Sequence, residues 1–285
     1  MVAHTDTRTL LRGAAACAIQ APSTHNTQPW RFRIRDGALA IYLDDTRRLE
    51  VIDPLRRQMT ISCGCALFNA RIAIRAFGFI DDTRILPDPD QPELLATIRP
   101  GLVRAPTSVD RELLAAIPRR HTNRRPFLDR PVAVEHSDAL ALAARAERTQ
   151  MFRLRPEQKA ELAALVAEAD RRQYEDPRFR AELGRWLAPT IGWRRDGIPF
   201  AEKEFGSSAP FAVLRTLRSL ELGKQFGALE AERIVAAPVI AVLSTQADEP
   251  IDWLDCGQAL QSVLLRATTL GLATSYLNQV LEIQE

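Results

Sequence analysis

Lysine is nearly absent from this sequence: Lys159, Lys203 and Lys224 are the only three, so 35 of the 38 basic residues are arginine. Against 36 acidic residues the net charge is +2, too balanced for nucleic acid to be held by bulk electrostatics. Such an arginine bias reads first as a genomic habit, so only local arginine clusters count as signals. Cysteine is scarce as well. Cys17, Cys63, Cys65 and Cys256 fit neither zinc spacing nor a redox C-x-x-C, and their apolar, helix-like surroundings suit small buried hydrophobes. The four histidines show no metal-ligand spacing. No apolar run approaches a membrane span and Met1–Arg8 carries no signal core, so a cytoplasmic protein that contacts no membrane is expected. Rossmann, P-loop and nucleophile-elbow glycine patterns are all missing, which disfavours those nucleotide sites and leaves a hydrolase without support. What is present, 46% hydrophobic residues, can bury a substantial core and excludes intrinsic disorder.

Along the chain, Leu10, Leu11, Ala14, Ala15, Ala18 and Ile19 have helical period, with Asp6 or Thr7 as cap. A polar loop at 21–29 follows, closed by Pro22 and Pro29. Trp30, Phe32, Ile34 and Leu39, Ile41, Leu43 then alternate around Asp36-Gly37, a hairpin signal. Residues 56–77 predict a long helix, apolar on more than one side and stopped by Gly78, which belongs inside a domain. Strands are predicted at 83–86, 94–98, 151–154, 239–243 and 273–277, and helices at 109–117, 137–146, 156–174 and 252–270. Asp44-Asp45 and Asp81-Asp82 read as strand-end turns, not acid/base pairs. Residues 190–225 lack a clean period until Leu214 and read as a long lid-like excursion covering a site.

The last part of the chain repeats the first. Cys63-Gly64-Cys65-Ala66-Leu67 and Cys256-Gly257-Gln258-Ala259-Leu260 share the pattern Cys-Gly-x-Ala-Leu at an offset of 193, and the stop glycines Gly78 and Gly271 keep that offset. Small residues there would let two buried helices approach closely. The expectation is a single domain over 1–285 made of two related halves, about 1–105 and 106–285, sharing one core as a pseudo-dimer.

Two segments carry candidate chemistry. The loop Ala21–Trp30 offers Ser23, Thr24, His25, Asn26, Thr27 and Gln28, neutral donors and acceptors suited to a planar heteroaromatic ligand; an ordinary capped connection is the competing reading. The segment Arg119-Arg120-His121-Thr122-Asn123-Arg124-Arg125 gathers forked guanidinium donors, a hydroxyl and an amide, as a phosphate monoester requires. A solvated basic turn is its alternative.

APSTHNTQPWRF at 21–32, the DP-x-x-R and SCG-x-AL run at 53–67, RRHTNRRPF at 119–127 and W-x-x-CGQAL…GLATSYLNQ at 253–279 together resemble the Acg family, the single-chain members of the flavin-dependent nitroreductase superfamily. The resemblance implies an α+β nitroreductase-like fold with central antiparallel sheets and long core helices, two halves of one chain replacing a homodimer. It implies FMN, with Ser23, Asn26 and Gln28 along the isoalloxazine and Arg119, Arg120, Thr122, Asn123 and Arg124 serving the ribityl phosphate. It implies an oxidoreductase passing a hydride from NAD(P)H to flavin and two electrons to a nitro compound, quinone or similar small acceptor. A flavin-sequestering protein with little turnover is the alternative. No catalytic side chain is demanded, His25 being at most a proton donor. Oligomeric state stays open between monomer and homodimer. Members usually continue past Gln-x-x-Glu into a further strand, so this chain is expected to end one strand short of the family pattern.

Overall fold

A computed structural model of the chain describes residues 6–189, 195–200 and 231–283. The excursion expected at 190–225 lies outside these residues except for 195–200.

Helix α1 (Thr7–Ala18) leads through the 21–29 loop into the hairpin β1 (Trp30–Arg35) and β2 (Ala38–Leu43). Asp36 and Gly37 both have positive φ, 51° and 69°, as a two-residue turn matched to strand twist requires. Helix α2 (Arg57–Ala76) follows, then β3 (Phe79–Ile85) and β4 (Leu94–Val103), both longer than the sequence signals. The four strands form an antiparallel sheet in the order β1-β2-β4-β3. Its inner face sets Leu39, Leu43, Leu95 and Ile98 against Leu10, Leu11 and Ala14 of α1 and Cys63, Ala66, Ala70 and Ile74 of α2.

Beyond β4 come α3 (Ser108–Ala116), α4 (Val134–Arg145), β5 (Gln150–Arg153), α5 (Pro156–Glu175) and α6 (Pro177–Trp186). A capping box starts α3, with Thr107 and Asp110 each accepting from the other's backbone. A short parallel pair, β6 (Leu187–Pro189) and β7 (Ile198–Phe200), precedes helical residues 231–236. Strand β8 (Ala241–Ser244) pairs antiparallel with β5. Helix α7 (Pro250–Thr269) and the single turn α8 (Gln279–Glu282) complete the described elements.

Three expectations need correction. Residues 273–277 form no strand; Thr274 makes only an isolated parallel bridge to Thr122, because no neighbouring described strand offers a ladder. Asp81-Asp82 lies inside β3, not at a strand-end turn, and Asp81 pairs with Arg71 and Arg75. Helix α6 was missed, although Asp176 caps it just ahead of Pro177.

Helices α2 and α7 cross at the centre of the molecule. Each has 20 residues, and both their first and last residues lie 193 positions apart. A Cβ built on Gly64 would lie 2.5 Å from the Leu254 carbonyl oxygen, and one on Gly257 only 2.0 Å from that of Ile61. Ile61 and Leu254 are themselves 193 apart, so the contact is reciprocal, as in an isologous interface. Beside it, Gln261 donates to Asn69 Oδ1 at 2.7 Å and the Cys65 thiol to the Gly257 carbonyl at 3.1 Å, all buried. Burial pushes the Cys63 and Cys65 thiols far above their ordinary range, so neither is a ready thiolate.

Candidate functional site

The loop that carries Ser23, Asn26 and Gln28 is set by its backbone. His25, Asn26 and Gln28 all take left-handed φ, 49°, 52° and 52°, which Asn tolerates and which turns the chain tightly between the two prolines. Ser23 Oγ accepts from the Gln28 N–H at 2.9 Å, closing the loop on itself. Cys63 on α2 donates to the Pro29 carbonyl. Thr24 Oγ1 donates to Gln58 Oε1 at 2.7 Å near the start of α2.

The carboxamides of Asn26 and Gln28 reach residues 195–197. Asn26 Nδ2 donates to the Gly197 carbonyl at 3.0 Å, and the Gly197 N–H returns a bond to the Asn26 carbonyl at 3.1 Å. Gln28 Nε2 donates to the Arg195 carbonyl at 2.7 Å. Arg47 adds a fourth tie, pairing with Asp196 at 2.8 Å while donating to the Thr27 carbonyl.

His25 lies within this loop, its Nδ1 buried without a partner among the described residues. Burial lowers its pKa from 6.5 to about 4, so the imidazole is neutral in the folded protein. At neutral pH it is therefore no imidazolium. Because the unfolded chain binds this proton more readily, the stability His25 contributes is complete above pH 6.5 and lost as pH falls toward 4. His25→Asn, which tolerates the left-handed backbone, is expected to flatten the fall in melting temperature between those pH values. An unchanged profile would show that His25 is not buried neutral.

The arginine segment sits across from the C-terminal end of α7. Arg119 donates to the Thr268 carbonyl at 3.2 Å, and the Asn123 N–H to the Thr274 carbonyl at 2.7 Å. Arg120 turns toward Tyr276 and Cys65, and its Nε is buried without a partner among the described residues. The Tyr276 hydroxyl lies close to Arg120 and Thr122 without a well-aligned bond to either. Burial pushes this phenol well above its ordinary range, with Arg120 pulling against it. Asn123 spends its amide locally, bonding the N–H and carbonyl of Arg125 in an Asx turn. Arg124 is exposed, and its carbonyl accepts from Arg233. None of Arg119, Arg120 or Arg124 pairs with a carboxylate among the described residues.

The two candidate segments share no hydrogen bond among the described residues, but one stretch links them. Thr274 and Tyr276 meet the arginine segment, and two residues on Asn278 Nδ2 reaches Gln58 Oε1 at 3.4 Å, the atom that holds Thr24. The site therefore draws on the 21–29 loop, the start of α2, residues 119–123 and residues 274–282. Gln58, Tyr276, Asn278 and Glu282 were not singled out from the sequence. Tyr276 and Asn278 fall in the GLATSYLNQ run, Gln58 in the run at 53–67 and Glu282 in Gln-x-x-Glu, and no single residue there announces a contact some 220 positions away.

The chain is thus an α+β protein with two long helices crossing on paired glycines, and with a polar loop and an arginine segment bridged by its last part. The sequence pattern described as the nitroreductase family matches residues 117–284. The chain is 32% identical over 274 residues to a Mycobacterium tuberculosis protein named "Putative NAD(P)H nitroreductase", covering 96% of this chain and 77% of that one. It is 30% identical over 286 residues to the same organism's "Putative NAD(P)H nitroreductase acg", covering 97% and 82%. An uncharacterized protein of that organism matches at 31% identity over 285 residues, covering 96% and 79%. This chain belongs to the nitroreductase family, on its Acg-like branch, and is a nitroreductase-like oxidoreductase. Among the described residues no helix is long and apolar enough to cross a membrane.

Proposed function

We propose that the protein is an FMN-dependent oxidoreductase acting on a small electron acceptor, with the flavin held between the 21–29 loop and residues 119–123. The observation that carries this reading is a pair of buried polar atoms, Arg120 Nε and the Tyr276 hydroxyl, that make no well-aligned hydrogen bond among the described residues, one position on from the exposed Arg119, which pairs with no described carboxylate. Buried polar groups are normally satisfied, so such a pair marks a place built for a further acceptor. A phosphate monoester suits it: Arg119 and Arg120 supply charged forked donors, and Thr122 and Tyr276 supply hydroxyls. The Ser23–Gln28 loop, which carries no charge, suits a neutral planar ring system. Asn123 fits less well, being occupied locally; Arg124 is exposed, as is Arg119.

When bound, flavin would accept a hydride from NAD(P)H and deliver two electrons to a nitro compound, a quinone or a similar acceptor. The chain's part is to bind, orient and exclude water. No side chain here is asked to form a bond or to transfer a proton, and His25, neutral and enclosed, packs within the loop. The two halves would be copies of one ancestral unit; equal helices at an offset of 193 and the reciprocal glycines support that history. A site completed within one chain then needs no second subunit.

A second reading, flavin storage with little turnover, draws on the four ties that hold residues 195–197 against the loop. A segment fixed there would restrict access of NAD(P)H and acceptor. Anaerobic titration of the FMN-loaded protein with NADPH or NADH separates the two. Bleaching of the flavin absorbance at rates that support turnover with a nitroaromatic or quinone favours the enzyme. Bound flavin that neither nucleotide bleaches favours storage.

A further inference from the structure

Near the start of α2 one buried glutamine joins three parts of the chain. Gln58 is 6% exposed. Its Oε1 accepts from the Thr24 hydroxyl at 2.7 Å and from Asn278 Nδ2 at 3.4 Å, and its Nε2 donates to Glu282 Oε1 at 3.0 Å. Its backbone N–H is fixed in turn by Asp53 Oδ1 at 3.0 Å, while Asp53 Oδ2 takes the Met59 N–H at 2.9 Å. The other oxygen of Glu282 accepts from Gln173 Nε2 of α5 at 2.7 Å, and Arg57 donates to the Leu281 carbonyl at 2.6 Å.

With Glu282 ionised, position 58 calls for a group that both donates and accepts. A carboxylate accepts and never donates, so an ionised Glu282 fixes the Gln58 Nε2 toward itself and the Oε1 toward Thr24 and Asn278. A Glu at 58 would oppose Glu282, and a Lys or Leu would leave the Thr24 hydroxyl without its acceptor. We infer that Gln58 is a positioning residue: it couples the Ser23–Gln28 loop to residues 278–282, so that order in one segment is transmitted to the other. The loop's place at a flavin rests on the function proposed above; the coupling does not.

The surroundings of Glu282 give the coupling a charge signature. Asp53 at the head of α2 and Glu182 on α6 face it as like charges, Gln58 and Gln173 are its donors, and burial together with those acids raises its pKa against their pull. A second carboxylate at position 58 would therefore be tolerated only when one of the two carries a proton and donates to the other.

Hydrogen exchange of the purified protein without added flavin tests this, with each variant's rate taken relative to wild type at the same pH. In Gln58→Met, amides of 23–28 and 278–282 are expected to exchange about tenfold faster while those of β1 to β4 keep wild-type rates. In Gln58→Glu the same two segments should exchange fast at pH 8 and approach wild-type rates at pH 5. Thr24→Val, which removes only the hydroxyl, should loosen the 23–28 loop and thereby 278–282. If Gln58→Met loosens the whole molecule, Thr24→Val and the pH profile of Gln58→Glu decide. Wild-type exchange of 278–282 in Thr24→Val, or a pH-independent Gln58→Glu, would overturn the coupling. With FMN as probe, a Kd raised in Gln58→Met would join the coupling to the proposed site. Altered exchange in a protein that never binds FMN would uphold the coupling and reject the flavin reading.

Discussion

Gly257→Ala is expected to cost about 3 kcal/mol or more, enough to consume much of the stability of a typical domain. The added methyl would sit 2.0 Å from the Ile61 carbonyl oxygen and 2.9 Å from the Gly64 Cα. Both obstacles are backbone, so no side-chain rotation relieves them, and α2 and α7 must separate. Separation strains the buried Gln261–Asn69 and Cys65–Gly257 bonds in the same seam. Gly184→Ala is the control, because nothing lies within 4 Å of its added Cβ on the exposed side of α6; it should be neutral or stabilise by a few tenths to about 1 kcal/mol. Urea unfolding of both variants checks the pair. A Gly257→Ala protein as stable as Gly184→Ala would show that the helices do not meet as closely as described.

Arg71→Leu should be comparably damaging, about 3 kcal/mol or more. Arg71 projects from α2 and meets three partners: Asp81 of β3 at 2.8 Å, Glu147 after α4 at 2.5 Å and Gln258 Oε1 of α7 at 2.6 Å. Burial works against the guanidinium's charge, but Glu147 and Asp81 more than offset it, raising its pKa. Asp81 is correspondingly held below the usual carboxylate range: burial opposes this, and Arg75 and Arg71 outweigh it. After Arg71→Leu, Asp81 keeps Arg75, whereas Glu147 loses its cation in a site where its side chain is 11% exposed. An uncompensated buried carboxylate is the costly product. The double variant Arg71→Leu/Glu147→Leu, which removes both charges, should recover part of the loss. Equal destabilisation in the single and double variants would contradict this assignment. The close α2–α7 contact at Gly64 and Gly257 is untouched in both variants, so unfolding of either should remain a single transition.

Elements defined by their own residues were legible in the sequence. The apolar surround and stop glycine of α2, the Asp36-Gly37 hairpin and the repeated Cys-Gly-x-Ala-Leu of α7 each carry local information that tertiary packing only has to accept. Elements defined by partners were not. The repeat places a strand at 273–277 after the stop glycine, yet a strand exists through its neighbours, and among the described residues Thr122 alone supplies a bridge. Helix α6 could have been read from Phe179, Leu183 and Trp186 at helical spacing behind the Asp176 cap. The candidate site divides in the same way. Its loop and arginine segment stood out because polar residues between prolines, and arginines in a row, are locally unusual. Gln58 and Glu282 are ordinary polar residues until the fold brings them together across 224 positions. Asn26 and Gln28 also hold residues 195–197 through their carboxamides, a contact that no local pattern encodes.

The central claim is a flavin-dependent oxidoreductase whose phosphate is held by Arg119 and Arg120. Its most direct test is the visible absorbance spectrum of the purified protein after incubation with FMN and removal of free cofactor, for wild type and Arg120→Leu side by side. The account predicts a stoichiometric flavin spectrum in wild type that NADPH or NADH bleaches without oxygen, and a flavin content reduced at least tenfold in Arg120→Leu. A wild-type protein that stays colourless after incubation with FMN would contradict it.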